Sequence, residues 1–173
     1  MDRLFAPWRM AYILTADEAP DVCILCQFPA LGATRYREHG ILCATPRAFV
    51  MMNKYPYNNG HVMVVPRAHV ADPAALDDDA YRETTELLRR ATTALRQALA
   101  PHGLNLGMNL GRVAGAGIDQ HCHYHLVPRW SGDTNFMPVI GDVKVLSEAL
   151  GATYDRLLPH FASLGEGPAA SAG

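Results

Sequence analysis

Residues 120–130 read QHCHYHLVPRW, with a histidine at every second position: His121, His123 and His125. Side chains on an extended chain alternate between its two faces. Read as a strand, the run sends all three imidazoles to one face and Cys122, Tyr124 and Leu126 to the other. Such a strand needs a sheet that packs on one side and leaves a polar, titratable row on the other. The remaining chain has to supply that sheet and its cover.

The partners are legible from periodicity. Residues 41–53 (ILCATPRAFVMMN) form two short apolar strands broken at Pro46, and HVMVVPR, 61–67, forms another that Pro66 ends. Between them KYPYNNG, 54–60, is dense in turn formers, so 53–61 reads as the long loop of a hairpin. LNLGMNL, 104–110, alternates, with Leu104, Leu106, Met108 and Leu110 on one face and Asn105, Gly107 and Asn109 on the other. Leu88, Ala91, Leu95 and Ala98 fall at helical spacing within 76–99, with Asp77, Asp78 and Asp79 at the favourable end of the helix dipole. A second helix is expected over 147–162. The pattern predicts an α+β fold: an antiparallel sheet of about five strands with one long helix and shorter ones. The expected organisation is one domain over 1–163, with 1–20 packed on it as a lead-in and 164–173 as a disordered tail.

A chain of 173 residues, 49% hydrophobic, suffices for one core. A net charge of −2 provides no broad basic field, which argues against a nucleic-acid partner and leaves room for a small anionic ligand. No apolar run approaches the roughly 18 residues a bilayer span needs, and the N-terminus lacks a continuous apolar signal segment. No membrane association and a cytoplasmic location are therefore expected.

Three chemistries suit an imidazole row: a metal site, a proton shuttle, and nucleophilic attack by a neutral imidazole on phosphorus or acyl carbon. A nucleophilic histidine needs one nitrogen free and the other held as N–H. Cys23 and Cys26 form a C-x-x-C pair that suits redox chemistry, structural metal or neither. Thioredoxin-like pairs place the second cysteine in a helix, and the following QFPALG does not suit one. Two cysteines with two histidines would complete a tetrahedral zinc site. Cys43 and Cys122 occupy apolar strand positions and read as core.

His121-Cys122-His123-Tyr124-His125-Leu126-Val127 closely resembles the signature of the histidine triad superfamily of nucleotide hydrolases and transferases. The flanking APWRM, TNFMPVI and KVL segments resemble its bacterial diadenosine tetraphosphate phosphorylase or hydrolase branch. The resemblance implies that His123 is the nucleophile, forming a nucleotidyl-imidazole, with His125 at the phosphate oxygens and His61 beside the triad. It places Asn53 on the ribose hydroxyls, and Asn109, Gly115 and Gly117 on the phosphates, the glycines through main-chain N–H groups. Arg129 and Trp130 either extend the site toward a distal phosphate or base, or form a salt-bridged edge and a core aromatic. Cys23, Cys26, His69 and His121 match a structural zinc set. The implied partners are a dinucleoside polyphosphate, which can bring Mg²⁺ with it, inorganic phosphate, and further copies of the chain in a homodimer or higher homo-oligomer. Phosphorolysis to ADP and ATP is the leading reading. Asymmetrical hydrolysis to AMP and ATP, adenosine phosphoramidase activity, and a nucleotide- or zinc-binding interaction protein are the alternatives.

Overall fold

Five short apolar runs pair into a single antiparallel sheet. The computed structural model describes residues 22–133 and 148–169. The lead-in over 1–20, the TNFMPVI and KVL segments, and 170–173 lie outside the described residues. The strands are β1 (Ile41–Ala44), β2 (Ala48–Met52), β3 (Val62–Pro66), β4 (Gly103–Met108) and β5 (Tyr124–Arg129), in the spatial order β1-β2-β3-β5-β4. The α-helices are α1 (Ile24–Ala30), α2 (Asp78–Leu99) and α3 (Leu150–Phe161).

The long helix starts where its sequence says it should. The Asp77 carboxylate accepts the Ala80 N–H at 2.7 Å, and Asp78 and Asp79 fill the first turn. It ends at Ala100, which takes the left-handed conformation just before Pro101. Its buried face includes Leu87, Leu88, Ala91, Ala94 and Leu95, which meet Tyr154, Leu157 and Phe161 of α3 and one side of the sheet.

Strand register then settles which side carries the histidines. Val62 and Val64 of β3 pack under α2, whereas Met63 and Val65 point the other way, into a second cluster with Leu25, Tyr36, Ile41, Phe49 and Met51. Met63 lies opposite His125, and Gly107 of β4 lies opposite His125 on its other flank. Directly paired residues share a face. His125 therefore stands on the α1 side, with Asn105 and Gly107, while Tyr124 and Leu126 stand on the α2 side.

Three expectations need correction. First, the ladder of β5 begins only at Tyr124, so His121 and His123 precede it. The Cys122 N–H donates to Val70 O at 2.7 Å and the His121 ring bonds Pro66 O, which ties this segment to the end of β3 and the loop beyond it. Second, residues after the C-x-x-C pair are helical: α1 contains Cys26 and runs through Pro29. Seven residues is less than two full turns, and Pro29 forfeits one intrahelical bond near the end while burying its ring. Third, the chain does not lose order at 164. Leu164 is buried, and Glu166 exchanges two main-chain hydrogen bonds of 2.8 Å with Ala44. Gly165 makes that approach feasible, because a Cβ there would run into the Ala44 carbonyl.

Candidate functional site

Four candidate metal ligands converge. Cys23 is the N-cap of α1 and Cys26 lies in its first turn, so the short helix presents both thiols together. His69 comes from the segment after β3, and His121 from the approach to β5. The Cys23 and Cys26 sulfurs lie 3.5 and 3.4 Å from His121 Nδ1, and His69 Nδ1 lies 3.3 Å from both Cys26 Sγ and His121 Nδ1. Zinc bonds of about 2.3 Å to sulfur and 2.0 Å to nitrogen, at tetrahedral angles, set sulfur–nitrogen spacings of about 3.5 Å and nitrogen–nitrogen spacings of about 3.3 Å. The donor set fits a tetrahedral ion on that ground. His121 Nε2 donates to Pro66 O at 2.8 Å, which leaves Nδ1 as the lone-pair nitrogen aimed at the cluster. Burial first and then the Cys23 charge push the Cys26 thiol up to about 11.

The hydrogen-bond partners also assign protons along the rest of the row. A carbonyl only accepts, so the 2.9 Å contact between His123 Nδ1 and His121 O makes Nδ1 the protonated nitrogen of His123. Its Nε2 is then the lone-pair nitrogen. A main-chain N–H only donates, so the 3.0 Å bond from Tyr57 N makes His61 Nδ1 an acceptor. Neutral His61 carries its proton on Nε2, which lies 3.0 Å from His125 Nδ1. That nitrogen accepts in turn, and neutral His125 is left with its proton on Nε2. One imidazole is thus set as a base and its neighbour as a donor, with ring centroids 4.8 Å apart. Burial pushes His123 below the ordinary imidazole value, against a smaller upward pull from the His121 carbonyl. Burial likewise lowers His121. Near neutrality His123 is uncharged, the state a nucleophile requires.

The HIT domain family matches residues 36–132 of the chain. This chain belongs to the HIT family. A curated relative, the AP-4-A phosphorylase of Mycobacterium tuberculosis, is 34% identical over 94% of this chain and 85% of its own length. Among solved structures, a histidine triad nucleotide-binding protein from Sulfolobus tokodaii superposes with a TM-score of 0.65 at 24% identity, covering 82% of this chain and 93% of the other. A zinc-bound histidine triad family protein from Mycobacterium smegmatis gives 0.64 at 21% identity, covering 82% and 94%. At these identities the two structures speak for the fold.

The remaining expected site residues of this HIT protein are distributed unevenly. Asn53, directly after β2, accepts the Tyr55 N–H at 2.8 Å and lies 3.6 Å from the sulfur of Met63, the residue paired with His125. Asn109 sits just past β4 rather than within it, and its amide donates to Gly115 O at 3.3 Å, bracing the glycine-rich loop. Gly115 takes φ +92°, a left-handed conformation that suits glycine. Gly117 lies in the same loop, which leads into His121. Arg129 follows the salt-bridged alternative. It forms two bonds to the Asp133 carboxylate, of 2.7 and 2.8 Å, and a third to Asn105 Oδ1 at 2.9 Å.

The sequence reading missed the anchors of loop 53–61. Asn58 Nδ2 donates to Pro128 O at 3.0 Å and Asp133 Oδ2 at 2.8 Å. The Asn59 amide meets the fully buried Thr153 hydroxyl of α3 at 3.1 Å. As turn formers these asparagines carry no sequence mark that predicts such long-range partners.

Proposed function

We propose that this HIT protein is a nucleotidyl transferase that cleaves dinucleoside polyphosphates by phosphorolysis, through a nucleotidyl-histidine at His123. The observation that carries the reading is the His123–His121 hydrogen bond, which leaves an uncharged imidazole with its Nε2 lone pair available beside a donor, His125. In the first step Nε2 attacks the α-phosphorus and the bond to the bridging oxygen breaks. With diadenosine tetraphosphate as substrate this releases ATP and leaves adenylyl-His123. His125 Nε2–H stabilises charge on the phosphate oxygens during transfer. An oxygen of inorganic phosphate then attacks the adenylyl phosphorus, the P–N bond breaks, and ADP leaves. Phosphate rather than water as acceptor is supported by the likeness to the AP-4-A phosphorylase across nearly the whole chain. Asn53, on the His125 side, suits a ribose diol, and the Asn109-braced loop suits phosphate oxygens. With Arg129 committed to Asp133, Mg²⁺ carried by the substrate is the proposed counter-charge for the leaving polyphosphate.

Cys23, Cys26, His69 and His121 are the proposed holders of structural zinc, and the spacing match supports them. The ion would fasten α1 to the approach of β5. Pairing between copies is proposed at β4, an edge strand on which Leu106 is half exposed.

The deciding experiment incubates diadenosine tetraphosphate with the protein, with and without phosphate. ADP and ATP that appear only with phosphate support the reading. AMP with ATP, independent of phosphate, would replace it with hydrolysis. A folded His123→Asn protein that turns over at the native rate would end the covalent mechanism.

A further inference from the structure

We propose that Tyr57 is a positioning residue of this site, acting through His61 to fix which nitrogen of His125 carries the proton. The inference rests on the transferase reading above.

Tyr57 touches the imidazole pair in two separate ways. Its main-chain N–H donates to His61 Nδ1 at 3.0 Å. Its ring stacks on His61, with centroids 4.8 Å apart and planes 29° from parallel, and leans over His125 at 5.7 Å. The first contact sets direction. Because an amide cannot accept, the His61–His125 bond can run only one way in the neutral pair, from His61 Nε2–H to His125 Nδ1. The second contact covers the pair, and the ring keeps a 42% exposed outer surface toward solvent.

Aiming one amide requires a rigid loop, and this one is fastened on three sides. Asn58 holds it to Pro128 and Asp133, Asn59 to Thr153 of α3, and the His61 N–H closes the turn on Asn58 O at 3.2 Å. His61 is fully buried, so its proton cannot readily be rearranged by bulk water. In the neutral pair this bond direction leaves His125 Nε2 as the proton-bearing nitrogen, the donor that phosphate oxygens require. A second reading of Tyr57, as a platform for a substrate base, fits its exposure but leaves its stacking on His61 and its tilted contact with His125 without a role.

Histidine side-chain ¹⁵N spectra of the native protein test the assignment without substrate. His61 and His125 should both resolve as Nε2–H tautomers, and His123 as Nδ1–H. A proton on Nδ1 of His125 overturns the proposal whatever the variants do. Tyr57→Ala keeps the amide and loses the ring, so it should keep the tautomers and lower kcat roughly 2- to 10-fold, the scale of one aromatic pair. KM should stay within about twofold, whereas loss of a base platform would raise KM instead. Tyr57→Pro also removes the amide; it should mix the tautomers and cost about a further 10-fold in kcat, the scale of one lost hydrogen bond. Tyr57→Phe should restore both readouts. Native kcat and native spectra in Tyr57→Pro, or a rise in KM alone in Tyr57→Ala, would refute the role. These outcomes are separable from failure of the transferase reading, which would appear as no adenylyl adduct on His123 in the native protein.

Discussion

Gly60 is the residue on which the geometry of loop 53–61 can be tested most directly. It stands next to His61 with φ +73°, and a Cβ built there would overlap Leu99 Cδ1 at the end of α2 and approach Pro128 Cγ to 3.4 Å. Two costs follow for Gly60→Ala. Holding alanine in the left-handed region costs about 1–2 kcal/mol. Moving Leu99 off its rotamer adds about 0.5–1.5 kcal/mol, a modest figure because a methyl at the end of a flexible side chain can yield. The sum is about 1.5–3.5 kcal/mol, or about 3–14 °C in Tm for a chain of this size. Equilibrium urea unfolding of the wild type, Gly60→Ala, Leu99→Ala and the double variant separates the two parts. The steric part should vanish in the double variant, giving a coupling of about 0.5–1.5 kcal/mol, while the conformational part persists. Activity should fall together with stability, because the same displacement moves His61. A Gly60→Ala protein within about 0.5 kcal/mol of the wild type, or strict additivity in the cycle, would refute the reasoning.

Further outcomes follow from the same structure. The purified protein should carry one zinc per chain, and a Cys23→Ser/Cys26→Ser double variant should carry none by metal analysis; full retention would contradict the assigned ligands. After chelation, the partly exposed Cys23 should react with a thiol reagent at pH 8, Cys26 more slowly because its thiol is pushed up to about 11, and Cys43, fully buried and pushed by burial up to about 12, only on unfolding. For pH, burial holds His123 below 6.5 in the folded state. kcat/KM should therefore be level above pH 6.5 and decline only below it, and a half-point at or above 6.5 would contradict the buried, neutral nucleophile. The stability contribution has the same sign. The unfolded chain takes up the proton first, so stability is full above 6.5 and drains as pH falls toward the lowered folded value. Asp133→Ala should cost about 1–3 kcal/mol, since its carboxylate receives Arg129, Asn58 and the Trp130 N–H. Arg89→Ala, which breaks an exposed pair with Glu86, should leave the urea midpoint unchanged.

How much of this was legible beforehand depended on the range of the interactions. Strand and helix identities, the single sheet and the two-sided character of β4 follow from local periodicity, and the structure agrees to within a few residues. The alternation of the histidines was legible too, but not the point at which pairing starts. That point depends on Val70 and Pro66, some fifty residues upstream, which draw 121 and 122 away from the ladder. The helix at Cys26 is not legible because QFPALG does not suit a long helix, whereas α1 runs only seven residues and Pro29 costs it one bond. Order at 164–169 was missed because small polar residues look alike whether they are loose or, as at Gly165, selected for a close approach to another strand. The imidazoles at 61, 69, 121, 123 and 125 could be named from sequence as candidates. Tyr57 could not, because its amide is invisible to any residue-type argument.

A single alternating run can do separate jobs because each histidine meets a different kind of partner. Carbonyls at Pro66 and His121 accept from opposite nitrogens of His121 and His123 and so hold the proton there, turning one lone pair toward two thiols and sparing the other. An amide at Tyr57 acts through His61 with the reverse polarity on His125. None of these three described partners is a carboxylate, so they orient their rings without adding negative charge beside the proposed polyphosphate. A carboxylate relay would orient an imidazole as well, yet it would repel the substrate and raise the pKa that burial has lowered. On this argument, exchanging His61 for Glu should preserve a hydrogen bond to His125 Nδ1 only by reversing its direction. The proton would then sit on the Nδ1 of His125, and turnover should drop even where the fold and the His123 tautomer are unchanged.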